Sequence, residues 1–347
     1  MAFEPAEHVA IGGTGVQVTR LGLGSAPIGG LFTAVADADA EHVVRHAWDI
    51  GIRYFDVAPL YGYGAGERRL GAGLVGRPRD DFVVSTKVGR LVVRAGDIRA
   101  GADVDRQALD GRPDAWYADV GDRRIVFDYS YDGVMRSVEE SLTRLGLDRV
   151  DILLIHDPDE HWDAALNGAC PALIRLREEG TVRAIGAGMN QTAMLARFAR
   201  ERDLDIFLVA GRYTLLDQDA LAELLPLCVE RGIGVVVGGV MNSGVLANPR
   251  PGSAFDYRPA PTAVVERARR LAAVCERHGV PLKAAAVQFP LAHPAVVSVV
   301  AGVRRIDHLD EYPVLMRHPI PDDLWAELRH EGLLQPDAPV PAPSPAR

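Results

Sequence analysis

The sequence predicts an α/β protein in which eight parallel strands close into a (β/α)8 barrel, the TIM-barrel fold. Short runs rich in β-branched residues alternate along the chain with longer segments whose apolar residues recur at helical spacing. These short runs are apolar along their whole length, which indicates strands covered on both faces, as in a parallel sheet surrounded by helices. A chain of 347 residues is long enough to close such a sheet into a barrel.

The elements follow in a regular order. The chain opens with a hairpin signal at residues 9–18, two short runs around a Gly-rich turn. The eight predicted strands are residues 21–25, 51–55, 82–87, 150–156, 182–188, 205–210, 233–238 and 296–301. The helical patterns lie at residues 37–50, 66–75, 130–145, 158–179, 191–202, 218–232 and 262–279.

One connection is much longer than the usual link between a strand and its helix. Residues 89–131 mix charges and glycines with Trp116, Tyr117, Phe127 and Tyr129. A loop this long is usually functional or disordered, and aromatic residues are rare in linkers. We therefore predict that residues 89–131 form a loop that covers the substrate.

The carboxyl-terminal segment differs from the rest in composition. Residues 336–347 are rich in Pro and Ala, which predicts a disordered tail. Residues 1–335 then form a single barrel domain.

Charge and cysteine content narrow the possible partners. The chain has 47 acidic and 38 basic residues and no basic block, which argues against nucleic acid or a membrane surface and favours a small-molecule substrate. No stretch reaches transmembrane length, and residues 1–20 lack the order of a signal peptide. Cys170, Cys228 and Cys275 have no metal-ligand spacing, so we expect no metal site and a reduced, cytoplasmic protein.

Four polar residues stand at or just after the ends of predicted strands. Asp56 and Tyr61 follow the second strand, Lys87 ends the third, and His156 ends the fourth. Barrel enzymes place their active sites at the carboxyl ends of the strands. Lys87 is one of only two lysines among the 38 basic residues, which indicates a need there for a compact ammonium group.

These residue types suit proton transfer. A tyrosine can exchange protons near neutral pH only if its neighbours stabilise the phenolate, and Lys87 could supply that positive charge. Asp56 could pair with Lys87, and His156 could hydrogen-bond a substrate oxygen. The set contains no nucleophile and no metal-binding motif, which fits carbonyl-alcohol chemistry with a hydride from elsewhere. A nicotinamide cofactor would complete it.

The same residues resemble the four-residue catalytic signature of the aldo-keto reductases: Asp56 with Tyr61-Gly62, Lys87 in Ser-Thr-Lys, and His156 in Ile-His. The resemblance extends from about residue 18 to about residue 334 and includes the opening hairpin, which closes the barrel floor in that family. Residues 128–142 and 156–159 are similar to the branch that contains D-threo-aldose (L-fucose) 1-dehydrogenases and pyridoxal 4-dehydrogenases.

The resemblance implies a role for each of the four residues. Tyr61 would be the general acid/base with a pKa lowered by Lys87, Asp56 would support Lys87, and His156 would orient the reacting oxygen. The implied activity is NAD(P)-dependent oxidation of a sugar lactol, or of a related small alcohol or aldehyde.

The resemblance also implies a set of cofactor contacts. Asn190 would hold the nicotinamide amide and Tyr213 would stack on the nicotinamide ring. The remaining cofactor-binding residues are Gly24, Gly239, Asn242, Gly244, Gly302 and Arg304, which would lie along the pyrophosphate and adenosine.

The choice between NAD and NADP depends on the surroundings of Arg304. Arg304 could bind a 2′-phosphate, but Asp307, Asp310 and Glu311 nearby would repel one. We therefore favour NAD.

Two other functions stay open at this point. A barrel lyase could use Lys87 as a Schiff-base amine, and a regulatory barrel could bind the cofactor without turnover. The physiological substrate, the reaction direction and the oligomeric state cannot be read from the sequence.

Overall fold

A computed structural model describes residues 3–105 and 116–342. Its strands, in chain order, are His8–Ala10 (β1), Gln17–Thr19 (β2), Leu21–Gly24 (β3), Tyr54–Asp56 (β4), Val83–Val88 (β5), Arg90–Arg94 (β6), Arg123–Phe127 (β7), Ile152–His156 (β8), Ala184–Met189 (β9), Ile206–Ala210 (β10), Gly234–Gly238 (β11), Ala254–Phe255 (β12), Arg258–Pro259 (β13) and Val296–Gly302 (β14).

The helices pack around these strands. They are Asp37–Asp49 (α1), Ala65–Leu74 (α2), Tyr131–Leu145 (α3), Trp162–Ala164 (α4), Cys170–Glu178 (α5), Ala193–Glu201 (α6), Leu224–Arg231 (α7), Thr262–Arg277 (α8), Leu282–Leu291 (α9), Ile306–Arg317 (α10) and Asp322–His330 (α11). A wider helical turn at Ala165–Ala169 joins α4 to α5.

The predicted barrel is confirmed. The closed order is β3-β4-β5-β8-β9-β10-β11-β14, and β14 pairs in parallel with β3 to complete the ring. Each of the eight predicted strand segments overlaps one of these strands, and no barrel strand ends more than one residue beyond its predicted segment. Close approach between strands depends on a glycine at one point, since a Cβ on Gly186 would lie 1.6 Å from the Ile206 carbonyl oxygen. Because the strands are parallel, all their carboxyl ends meet at one face.

The opening hairpin is also confirmed. β1 and β2 pair antiparallel, and Ile11, Val16 and Val18 are fully buried. They form one cluster with residues of the barrel strands, including Tyr54 and Ile152. The hairpin therefore closes the amino-terminal end of the barrel, which leaves the opposite end for chemistry.

The long connection after β5 is more ordered than predicted. β6 and β7 form an antiparallel ladder of five residue pairs, from Arg90 with Phe127 to Arg94 with Arg123. Two backbone hydrogen bonds tie the segment to the connection after β3: Phe32 donates to the Trp116 carbonyl at 2.7 Å, and Ala118 donates to the Gly30 carbonyl at 3.1 Å. Residues 106–115 of the predicted covering loop lie outside the described residues.

The carboxyl-terminal segment contacts the barrel beyond the predicted boundary at residue 336. Ala338 is buried, and its carbonyl oxygen accepts a hydrogen bond of 2.7 Å from Arg329 in α11. The predicted disorder is therefore wrong around Ala338, because an arginine of the preceding helix binds the backbone there. Residues 343–347 of the predicted tail lie outside the described residues.

Within the described residues, none of the helices combines the length and the apolar character needed to cross a membrane. The same part of the chain places no group of three or more His, Cys, Asp or Glu side chains close enough to hold a metal ion.

Candidate active site

The four predicted catalytic residues meet at the carboxyl ends of three adjacent strands. Asp56 is the last residue of β4, Lys87 is the fifth residue of β5, and His156 is the last residue of β8. Tyr61 lies in the connection after β4 and reaches back over Lys87. Adjacent parallel strands therefore bring together residues that are up to a hundred positions apart in the sequence.

The Lys87 ammonium is the centre of the site. Its Nζ donates to Asp56 Oδ1 at 2.9 Å and Oδ2 at 2.8 Å, to the Val57 carbonyl at 3.0 Å, and to the Tyr61 hydroxyl at 3.1 Å. Ser85 Oγ donates to Asp56 Oδ1 at 2.7 Å. Lys87 is only 1% exposed and Asp56 only 2%. Both charges are thus paired, and the ammonium has no hydrogen-bond donor left over.

The pKa of Tyr61 is shifted upward, whereas the sequence predicted a downward shift. Burial raises the pKa of the Tyr61 hydroxyl well above its usual value, and the Asp56 carboxylate raises it further. The predicted net lowering is therefore not found, because burial and the Asp56 carboxylate outweigh the hydrogen bond that the Lys87 ammonium donates to Tyr61. Tyr61 is therefore protonated at neutral pH and can donate that proton.

His156 is neutral for a similar reason. Burial lowers the pKa of His156 well below its usual value, and the positive charges of Arg90 and Lys87 lower it further. Its ring stands edge-on to the Tyr61 ring, with 5.9 Å between the ring centroids. A neutral imidazole has one N–H, so His156 can donate a hydrogen bond to an oxygen that also contacts Tyr61.

A pocket opens above the four residues. Its walls include aromatic rings from two surface segments: Trp116 and Tyr117 from the long connection after β5, and Tyr257 from the turn between β12 and β13. The Trp116 and Tyr257 ring centroids are 5.0 Å apart, and those of Tyr61 and Tyr117 are 6.2 Å apart. The long connection thus lines the pocket, as a substrate-covering loop should.

Tyr257 was not found by sequence reasoning. Asp256 and Tyr257 both have positive φ, which matches the primed turns of two-residue hairpins. Arg212 binds both Asp256 oxygens at 3.0 and 2.8 Å and also donates to the Asn190 carbonyl at 2.9 Å. Asp-Tyr is not a usual turn pair, so the sequence carried no readable signal for this hairpin.

Asp157 and Arg90 were also missed. Asp157 lines the pocket directly after His156, and an Arg90 nitrogen is 3.4 Å from its Oδ2. Burial raises the pKa of Asp157 from 3.8 to about 6, although Arg90 opposes the shift. The sequence did contain a signal for both residues, since Asp157 directly follows the predicted catalytic His156 and Arg90 begins β6.

The predicted cofactor residues lie along one edge of the barrel mouth. Asn190 lines the pocket. Gly239, Asn242 and Gly244 follow β11, which pairs with β14; β14 in turn pairs Gly302 with Gly24 of β3. Five of the predicted cofactor residues therefore lie at or just after the carboxyl ends of three neighbouring strands, and Arg304 is exposed just beyond Gly302.

This edge has features that suit a nucleotide. Gly239, Asn242 and Gly244 all have positive φ, so the backbone there turns tightly without large side chains. The Asn242 side-chain nitrogen donates to the Gly211 carbonyl at 3.1 Å, while its Oδ1 is buried and has no hydrogen-bond partner in the described part of the chain. An unpaired amide oxygen beside an open backbone edge fits a ligand that carries amide or hydroxyl donors.

Tyr213 does not belong to this edge. It is fully buried and packs on Phe289 and His293, with ring centroids 5.1 and 5.6 Å away. The predicted stacking of Tyr213 on the nicotinamide ring is therefore wrong. The reason is local, since Gly211 has positive φ just after β10 and the chain returns Tyr213 to the core.

The acids near Arg304 are already paired. Asp307 binds Arg305 at 2.9 and 2.7 Å, Asp310 binds His46, and Glu311 binds Lys283. The charges of Asp307 and Glu311 are thus partly neutralised, which weakens the predicted repulsion of a 2′-phosphate.

Comparison with known proteins agrees with this geometry. The model of the aldo/keto reductase family matches residues 20–330. The chain is 44% identical to pyridoxal 4-dehydrogenase from Microbacterium luteolum, over 96% of this chain and 100% of that one. It is 45% identical to D-threo-aldose 1-dehydrogenase from a Pseudomonas species, over 95% of this chain and 98% of that one.

Two solved structures share the fold. An aldo-keto reductase from Bacillus halodurans, in its holo form, aligns with a TM-score of 0.72 at 22% identity and covers 93% of this chain and 95% of its own. A glycerol dehydrogenase from Gluconobacter oxydans aligns with a TM-score of 0.71 at 20% identity over 99% of both chains.

Proposed function

The chain belongs to the aldo/keto reductase family, and we propose that it oxidises a sugar lactol of the D-threo-aldose or L-fucose type, or a related small alcohol or aldehyde such as pyridoxal, with Tyr61 as general acid/base. Its family makes it an NAD(P)-dependent oxidoreductase. The observation that carries the proposed mechanism is the hydrogen bond of 3.1 Å between Lys87 Nζ and the Tyr61 hydroxyl at the mouth of the pocket.

Each of the four residues has one task in this mechanism. Tyr61 takes the hydroxyl proton of the substrate during oxidation and returns it during reduction. Lys87 stabilises the phenolate through its hydrogen bond, and Asp56 holds the ammonium in place through both carboxylate oxygens. His156, neutral and edge-on to Tyr61, donates a hydrogen bond to the reacting oxygen. The bound nicotinamide supplies the hydride acceptor or donor.

The raised pKa of Tyr61 gives the two directions different pH dependence. Reduction needs the protonated hydroxyl, which is present at neutral pH. Oxidation needs the phenolate, so we expect the oxidation rate to rise as the pH increases above neutral.

The proposed substrate class rests on two kinds of support. The relatives at 44% and 45% identity are named for pyridoxal and for D-threo-aldoses. In this chain, the aromatic faces of Trp116, Tyr117 and Tyr257 surround polar groups of the pocket floor. Such a pocket suits a small ring that has an apolar face and hydroxyl groups at its edge.

For the cofactor, we assign the nicotinamide amide to Asn190 and the rest of the nucleotide to Gly24, Gly239, Asn242, Gly244, Gly302 and Arg304. We favour NAD, since no residue other than the exposed Arg304 in this set carries a charge for a 2′-phosphate. A cytoplasmic location is part of the proposal, because the three cysteines are free and buried.

The lyase alternative is disfavoured by the hydrogen bonds of Lys87. A Schiff-base lysine must lose a proton and present a free amine, whereas Lys87 donates to Asp56, Val57 and Tyr61 at the same time. Borohydride treatment with a carbonyl substrate should leave the mass of the protein unchanged.

The experiment is an assay of nicotinamide reduction by its absorbance. Purified protein is mixed with NAD or NADP and with L-fucose, other aldoses, pyridoxal or simple alcohols. We expect reduction of NAD with an aldose or with pyridoxal. Preference for NADP would reverse the cofactor assignment, and a protein that binds the cofactor but turns over no substrate would favour the regulatory barrel.

A further inference from the structure

The Asp157 carboxylate lies in the active-site pocket and is used by no step described above. Its Oδ2 is 3.4 Å from an Arg90 nitrogen and 3.5 Å from His156 Nε2. Its Oδ1 is buried and has no partner at hydrogen-bond geometry within residues 3–105 and 116–342, although the Asn190 backbone N–H lies close enough to lower the pKa of this carboxyl group. Leaving a buried carboxylate oxygen unpaired is costly, so this oxygen fits a donor group that arrives with a ligand.

The backbone holds Asp157 in a fixed orientation. The Tyr129 hydroxyl contacts the carbonyl oxygens of both His156 and Asp157, at 2.6 and 3.0 Å. Asp157 has φ of 41°, a left-handed conformation that Asp tolerates better than most residues. The carboxylate is therefore preorganised beside His156 and needs no rearrangement to bind.

The charge of Asp157 is only partly neutralised. Arg90 donates to Asp105 at 2.7 Å but lies 3.4 Å from Asp157, so the guanidinium binds Asp105 more closely. An ionised carboxylate only accepts hydrogen bonds. In this pocket it would repel an anionic substituent and bind a hydroxyl group.

We propose that Asp157 binds the hydroxyl group on the carbon next to the reacting carbon, so that the pocket selects aldoses with a free 2-hydroxyl. The argument rests on the proposed function, which places the reacting oxygen between Tyr61 and His156. The Asp157 carboxylate lies beside His156, with Oδ2 3.5 Å from Nε2, so one ligand can place neighbouring oxygens on the imidazole and on the carboxylate. Adjacent hydroxyls of a sugar ring meet that requirement.

The test combines two protein variants with two substrates. Asp157→Asn keeps an acceptor but loses the charge, and Asp157→Gly removes the side chain; both residues tolerate positive φ, so the backbone can be retained. Each variant and the wild type are assayed with L-fucose and with its 2-deoxy analogue. Asp159→Asn is the matched control, because Asp159 is exposed and binds Gln191 rather than lining the pocket.

The proposal predicts an effect that depends on the substrate hydroxyl. Wild type and Asp159→Asn should prefer L-fucose over the 2-deoxy analogue by about 10- to 100-fold in kcat/KM, the usual strength of a hydrogen bond to a charged group. The preference should shrink in Asp157→Asn and fall to within about 3-fold in Asp157→Gly. Activity with the 2-deoxy analogue should hardly change.

Two results would overturn the inference and can be told apart. Equal losses with both substrates in an otherwise active enzyme would mean that Asp157 only supports His156, and the proposed function would stand. A wild-type protein that oxidises no aldose at all would refute the sugar-oxidising function, and this inference with it.

Discussion

Lys87 and Asp56 form a buried ion pair on which the reactive tyrosine depends. Both side chains are almost fully buried, and the ammonium contacts both carboxylate oxygens. Removing one partner of a buried pair leaves an uncompensated charge, whereas replacing both leaves a neutral site. Stability and catalysis should therefore respond differently to single and double substitutions.

We predict that Lys87→Met lowers the free energy of unfolding by about 3–5 kcal/mol, because it leaves the buried Asp56 carboxylate without an oppositely charged partner. The double variant Asp56→Asn with Lys87→Met should recover most of that loss but stay inactive, because no ammonium remains beside Tyr61. Urea unfolding and the nicotinamide assay measure the two effects. A double variant no more stable than the single one would contradict this view of the pair.

Asp157 should make stability depend on pH. Its pKa is about 6 in the folded protein and about 4 in an unfolded chain, so ionisation disfavours the folded state. The stability of wild type relative to Asp157→Asn should therefore fall as the pH rises from about 4 to about 6, and by about 1 kcal/mol between about pH 5 and about pH 7.5. Urea unfolding of both proteins at the two pH values measures the change. If the free energy of unfolding of wild type relative to Asp157→Asn stays constant or rises with pH, the pKa of Asp157 is not raised in the folded protein.

The sequence predicted single residues best where a motif and a strand end coincided. Asp56 and His156 end their strands and Lys87 lies one residue before the end of its own, and the barrel brings the three together. The prediction that Tyr213 stacks on the nicotinamide ring failed, because the position of Tyr213 depends on the positive φ of Gly211, which residue spacing does not reveal. Asp157 was not assigned to the site, because its contact with Arg90 joins residues 67 positions apart.

Among the elements, the ladder of β6 and β7 supports the aromatic wall of the pocket. Trp116 belongs to this segment and contacts Tyr257 across the opening. Trp116 is partly exposed, so it contributes to the pocket more than to the core.

We predict that Trp116→Ala raises KM roughly 5- to 10-fold, which corresponds to the usual free energy of one aromatic contact. It should change the free energy of unfolding by less than about 1 kcal/mol. Phe32→Ala is the control, because Phe32 also contacts Tyr257 but is 48% exposed and does not line the pocket. Steady-state kinetics and thermal melting give the two readouts. An unchanged KM in Trp116→Ala would mean that the segment does not cover the substrate.

Each of the missed elements lacks a feature by which a helix or a strand is recognised in a sequence. Helix α9 is buried along almost its whole length, so it lacks the polar face that makes a helix visible in a sequence. Helix α10 contains Pro313, which normally argues against a helix interior. The strands β6 and β7 lie in a segment of mixed charge without clear alternation. The barrel strands were visible because burial on both faces leaves a continuous apolar run.

At the scale of the whole molecule, the residues that close the barrel and the residues of the candidate active site lie at opposite ends. The hairpin of β1 and β2 closes one end with apolar side chains, and the polar residues lie at the other end. Ala338 and the ladder of β6 and β7 are tied to the same barrel by hydrogen bonds.

We therefore predict that the barrel and the segment that follows it as far as Ala338 unfold as one unit. Calorimetry should give a single transition. Two resolved transitions would contradict the assignment of one domain.

The central claim is that Tyr61 exchanges the proton of the substrate. The most direct measurement is the kcat of nicotinamide reduction in Tyr61→Phe beside wild type, with Tyr63→Phe as a control for the loss of a buried tyrosine hydroxyl nearby. We predict that Tyr61→Phe loses about 10²- to 10⁴-fold in kcat, still binds the cofactor and melts normally, while Tyr63→Phe keeps its activity. Wild-type kcat in a folded, cofactor-binding Tyr61→Phe would contradict the account.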